Sequence, residues 1–128
     1  MGAEEERLQR MILDAAREFN AGRYFEAHEA LEESLDDVPD DWWPLFLGLI
    51  QIAVGYHKLA SGFDGAPRML EIGLAKVAPF PGDALGVGLD ALRARAQRDL
   101  ESLRAGASDP ALDVHRDPPR LVPARPER

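Results

Sequence analysis

The sequence predicts an all-α protein, a bundle of about five helices followed by a proline-rich tail, on three observations. Apolar residues recur at the 3.6-residue helical period in five successive segments. Clusters of Gly, Pro, Asp and Asn separate those segments. No run of alternating apolar and polar residues bounded by turns competes for a strand.

The first helix is expected from residue 4 to about residue 20. Leu8, Met11, Ile12, Ala15, Ala16 and Phe19 form its apolar stripe, and Asn20–Gly22 end it because Asn and Gly tolerate left-handed backbone. Glu4, Glu5 and Glu6 suit the positive end of its dipole. The second helix begins at Arg23 or Tyr24 and runs to Leu35. Its expected stripe is Phe25, His28, Leu31, Glu32 and Leu35, with Glu26, Glu29, Glu33 and Asp36 largely on the other side. After a polar turn at Asp36–Asp41, a third helix opens with Pro44 in its first turn and runs through Ala60. It is apolar on nearly all faces, which marks it as the central helix. Gly48, Gly55 and Gly62 fall seven apart; the first two mark a face that a neighbouring backbone can approach, and the third ends the helix. Asp64 is read as the N-cap of the fourth helix, with Pro67 in its first turn. Ala66, Leu70, Gly73, Leu74 and Val77 form its buried stripe, and Pro79 stops it. The fifth helix starts between Asp83 and Gly88, buries Leu89, Leu92, Ala96, Leu100 and Leu103, and ends at Gly106.

These segments make one domain, residues 1–105. The last 23 residues hold five of the ten prolines, so residues 106–128 are expected to be extended or disordered. They would touch the domain at most through Leu112, Val114, Leu121 and Val122.

The absence of cysteine removes disulfides, thiol nucleophiles and Cys-based zinc sites, so any metal must use His, Asp or Glu. The net charge of −8 is unevenly placed: residues 1–41 carry −9, residues 42–105 carry +1 and the rest are neutral. That balance disfavours nucleic acid and favours a cation or a basic partner near the N-terminal third. The third helix, interrupted by Gln51, His57 and Lys58, is too short and polar to span a membrane. The first ten residues are acid-rich with no apolar run, so a cytoplasmic protein is expected.

The segment Phe25–Glu33 carries the most chemistry. His28 and Glu32 lie four apart, hence on one helix face, and the predicted stripe turns that face toward the core. Such a pair has two uses. Imidazole and carboxylate can hold one divalent ion with Glu29 in the neighbouring slot, although the second histidine of a His-Glu-x-x-His helix is missing. Alternatively Glu32 accepts a buried hydrogen bond from the imidazole, and both are satisfied by adjacent helices. Gln51 and His57, about 120° apart around the third helix, could each face the second. Phe25, Glu26, Glu29 and Gln51 complete the candidate pocket or network. Trp42 and Trp43, beside Pro44, either staple the helix start to the core or line a groove. Arg93, Arg95, Arg98 and Arg104 interleave with Asp90, Asp99 and Glu101 as a solvated face.

The run from Phe19 through His28 to Glu32, followed by Gly48-Leu49-Ile50-Gln51-Ile52-Ala53 and by Gly62-Phe63-Asp64-Gly65-Ala66, resembles the prokaryotic helical family called domain of unknown function 309. The resemblance covers about residues 8–92. It implies a small all-helical fold with a His-x-x-x-Glu-x-x-Trp/Tyr signature that has been suggested to bind metal. His28 and Glu32 match the first two positions, and Leu35 stands where the family has its aromatic residue.

Two functions are therefore expected to compete. In one, His28 and Glu32, with help from Gln51 or His57, bind a divalent metal, and Glu29 or Glu32 takes a proton from metal-activated water in a hydrolase. In the other, the pair is structural and the chain is a non-catalytic interaction module or homo-oligomer, with Trp42, Trp43 and Phe46 as anchors.

Overall fold

The computed structural model describes residues 1–124, and these form six α-helices joined by short turns. They are α1 (Ala3–Asn20), α2 (Tyr24–Ser34), α3 (Trp43–Ser61), α4 (Ala66–Val77), α5 (Leu89–Arg104) and α6 (Pro110–Arg116). The all-α class is as expected. None of the described helices is long and apolar enough to cross a membrane.

Helix α3 forms the axis. Pro44 occupies its first turn, where a missing N–H breaks no bond, and Gly62 ends it in the left-handed conformation at φ 71°. Leu45, Phe46, Leu49, Ile52, Ala53, Tyr56 and Leu59 are buried around it. Helix α1 contributes Leu8, Ile12, Ala15, Ala16 and Phe19 to that core, and α5 contributes Leu89, Leu92, Ala96 and Leu100.

Helix α4 packs closely on α3, and where Gly73 crosses Gly48 the two backbones meet directly. A Cβ at Gly73 would lie 2.8 Å from the Gly48 carbonyl oxygen and 3.0 Å from the Ile52 nitrogen. A Cβ at Gly48 would lie 2.5 Å from Val77 Cγ1. Gly55 admits Leu70 in the same way, with its virtual Cβ 2.8 Å from Leu70 Cδ2. The seven-residue glycine spacing thus marks the approach face, and Gly73 supplies its counterpart.

Three expectations change. The N-cap of α4 is Gly65 at φ 95°, not Asp64; the chain reverses between α3 and α4 through two left-handed glycines. Helix α2 buries Tyr24, Ala27 and Leu31, so the true stripe lies one residue ahead of the predicted one, and Phe25 and Glu32 face outward. Tyr24 wins the inward position because Phe19 and Tyr56 receive its ring at 5.1 and 5.7 Å.

The third change is in the C-terminal stretch, where Pro110–Arg116 form a helix and the described residues after it lie against the others. Pro110 starts α6, where proline's fixed φ is an advantage, and Asp109 accepts from the Leu112 N–H at 3.1 Å. Val114, Pro119 and Leu121 are buried, while Leu112 and Val122 stay exposed. Asn20 pairs with the backbone of Leu121 in both directions: it accepts from the N–H at 2.8 Å and donates to the carbonyl at 2.9 Å. Gly88 N–H donates to Val122 O at 2.7 Å, and Ala124 N–H to Gly86 O at 2.8 Å. The expectation for Pro126 lies outside the described residues.

Charged side chains fasten this strap. Buried Tyr56 donates from its hydroxyl to Asp99 at 2.5 Å. Arg95 donates from Nε to the same carboxylate at 2.8 Å and reaches the Asp117 carbonyl from Nη2. Arg95 and Asp99 are only 15% and 13% exposed, so neither belongs to the solvated face predicted for them. Arg93 likewise turns in, donating to the carbonyls of Val77 at 3.1 Å and Phe80 at 2.6 Å at the end of α4. The remaining members, Asp90, Arg98, Glu101 and Arg104, are exposed as expected.

Gly73→Ala is expected to lower the unfolding free energy by about 1–3 kcal/mol, because the added methyl meets, besides Ile52 Cγ1, the backbone of Gly48 and Ile52, which cannot swing aside. Chemical denaturation reads this directly, and an unchanged midpoint would contradict the close contact. The two tyrosines set the alkaline limit. Burial raises Tyr24 to about 12. Burial first and the Asp99 carboxylate second push Tyr56 upward as well. In the unfolded chain both ionise near 10, so their stabilisation is complete below about pH 10 and is lost as pH rises through the folded values. Tyrosinate absorbance is expected to appear only together with loss of helical circular dichroism. Ionisation of either tyrosine near pH 10 in the folded protein would refute it.

Candidate functional site

Four rings line up across the surface where α2 meets the end of α3. Phe63, His57, Phe25 and His28 follow one another with centroid separations of 5.7, 5.2 and 4.7 Å. The two phenyl rings are the exposed members, Phe25 at 46% and Phe63 at 58%. Both imidazoles are half-buried between them. The backbone dictates this display. Phe63 sits between Gly62 and Gly65, and its N–H bonds to the Lys58 carbonyl at 2.8 Å, so the turn holds the ring out beside His57.

Beyond His28 the row opens into a depression lined by Phe25, His28, Glu29, Glu32 and Glu33. It faces solvent, and Glu32 is 62% exposed against 15% for His28. The expectation that His28 and Glu32 form a buried pair is therefore corrected. They share a face, but it is an outer edge of the bundle, because the inward stripe of α2 passes through Tyr24, Ala27 and Leu31. A buried hydrogen-bond network through this pair falls with it.

The geometry of His28 is specific. Its Nδ1 lies against the Phe25 carbonyl oxygen, which can only accept, so Nδ1 carries the proton. Nε2 then turns toward Glu32 Oε2 at 3.5 Å, beyond hydrogen-bond distance. An imidazole lone pair and a carboxylate facing each other in this way are completed by a proton or a cationic donor between them.

His57 reaches the site through Phe25 and does not join His28. Among the described residues no group of three or more His, Cys, Asp or Glu is placed to hold a metal ion. The donor set for the expected divalent metal thus stops at two, His28 Nε2 and Glu32. Glu26 is exposed on α2 but does not line the depression. Gln51 does not line it either; its Oε1 is buried without a partner among the described residues. Leu35, at the signature's aromatic position, is half-buried against the core, and its carbonyl accepts from Trp43 Nε1 at 3.0 Å. Trp42 stacks on Phe80 at 5.8 Å, and Phe46 is fully buried, so these residues serve the core rather than a groove. The exposed aromatic residues are instead Phe25, placed on the apolar stripe by periodicity, and Phe63. The signal for Phe63 was its position between Gly62 and Gly65, where no helix can enclose it. A second groove between α5 and α6 is lined by Arg95, Arg98, Asp99 and Asp117, the residues that fasten the strap.

Nothing among curated proteins or solved structures matches the chain. A family model does match residues 12–69, from within α1 through α2 and α3 to the opening of α4, the segment that holds the whole ring row. Across that segment the chain is similar to the domain of unknown function DUF309.

Proposed function

We propose that this chain is a non-catalytic binding module that docks a protein partner on the α2–α3 edge. The observation that carries the reading is the pair of exposed phenyl rings, Phe25 and Phe63, held one on each side of His57. Exposed aromatic rings on a pre-set backbone offer large contact area at little ordering cost. The open depression, by contrast, offers too few donors among the described residues to hold a metal that would activate water.

A second reading is kept for one reason, the Nδ1 contact to the Phe25 carbonyl, which fixes the ring with Nε2 turned outward, as a backbone carbonyl fixes a metal-ligating imidazole. A divalent ion there would take His28 and Glu32 from this chain and its other ligands from water or the partner.

A photo-crosslinking residue at position 25 or 63 is expected to trap one shared protein in cells, and the same residue at Ala75, on the exposed face of α4, is not. Identical products from all three positions would refute the docking face. For the second reading, titration with zinc or manganese is expected to give binding that His28→Ala abolishes while the fold is kept. Equal binding by both proteins would remove it.

A further inference from the structure

We infer that the partner presents arginine: the depression beside Phe25 receives an arginine-bearing segment of another protein. This rests on the binding-module reading and adds the chemistry of the occupant. The exposed phenyl rings mark the docking surface, and the charges around them say what fits.

Helix α2 breaks a rule that its neighbours keep. The last turns of α1, α3, α4, α5 and α6 carry Arg17, Lys58, Lys76, Arg104 and His115 with Arg116, respectively. Each base faces the negative end of its helix dipole. Helix α2 alone has none there. It carries Glu32 and Glu33 instead, with Asp36 and Asp37 in the following turn. Glu26, Glu29 and Glu33 also repel one another at spacings of three and four. Among the described residues none of these three has an ion-pair partner, and Glu32 faces only the His28 ring.

The occupant that relieves this arrangement is cationic, and three features favour arginine over lysine. The His28 Nε2 lone pair and Glu32 Oε2 form two acceptors 3.5 Å apart, which a forked set of N–H donors serves better than a point charge. The exposed Phe25 ring at the same rim offers a face for a planar guanidinium. Glu29 and Glu33 line the rest of the depression and receive the remaining donors. Phe63 lies at the far end of the ring row, where an apolar neighbour of the arginine would sit.

The test is a titration of isotope-labelled protein with an alanine-based helical peptide carrying arginines at every fourth position, beside its lysine and glutamine counterparts. The arginine peptide is expected to shift amide signals of Phe25–Glu33 and Phe63, the lysine peptide to bind more weakly, and the glutamine peptide not to bind. Combined Glu29→Gln, Glu32→Gln and Glu33→Gln should weaken arginine-peptide binding by about tenfold or more. The same variant should melt no lower than the parent, since the charges it removes oppose the helix. Shifts confined to Glu4–Glu6, equal binding of the arginine and glutamine peptides, or a lower melting temperature for the triple variant would each overturn the proposal. Binding lost in Phe25→Ser but unchanged in the triple variant keeps the docking face and overturns its arginine chemistry. Insensitivity to both variants removes both readings. Self-association through this face without peptide would assign it to a second copy and overturn the arginine-bearing partner.

Discussion

Where Gly48 of α3 meets Gly73 of α4, two helix backbones touch with no side chain between them, and much of the molecule follows from that contact. The connection between these helices is short, and it turns through Gly62 and Gly65 in left-handed backbone. A turn so constrained cannot fold Phe63 back into the core. The ring is left beside His57, and α2, packed on another side of α3, brings Phe25 to meet it. The candidate surface thus sits at the turn that joins α3 to α4.

The elements that could be read from the sequence are those whose residues have one physical use. An almost wholly apolar segment opened by Pro44 and closed by Gly62 can only be a central helix, and glycines seven apart can only serve close packing or termination. The misread elements turn on residues with two uses. Tyr24 and Phe25 are equally able to face a core, and the choice fell to Tyr24 because Phe19 and Tyr56, distant in sequence, form its receptor. Proline both breaks and begins helices; Pro110 begins one. Arg95 and Asp99 look like any exposed pair until the hydroxyl of Tyr56 and the backbone of Asp117 arrive to complete them.

The candidate site divides along the same line. That His28 and Glu32 share a face follows from helical geometry and needed no structure. That the face is turned outward follows from the one-residue shift of the stripe, and with it changes the meaning of the carboxylates. Buried, they would have required internal partners; exposed, they can remain unneutralised, because water screens them well enough for the helix to survive. Helix α2 gives up local electrostatic stability that its five neighbours secure, and tertiary packing of Tyr24, Ala27 and Leu31 makes up the difference. Local inconsistency of this kind is where binding surfaces are expected in an otherwise consistent fold.

The strap formed by residues 110–124 also bears on how the protein comes into being. Val114, Pro119 and Leu121 supply core atoms, and Asn20 at the end of the first helix waits for the backbone of Leu121, about a hundred residues later. During synthesis α1 emerges well before Leu121, its partner across the fold. Until the stretch that holds Leu121 emerges, the groove it will cover stays apolar and open, so the growing chain must either fold with an unfinished edge or remain shielded until then.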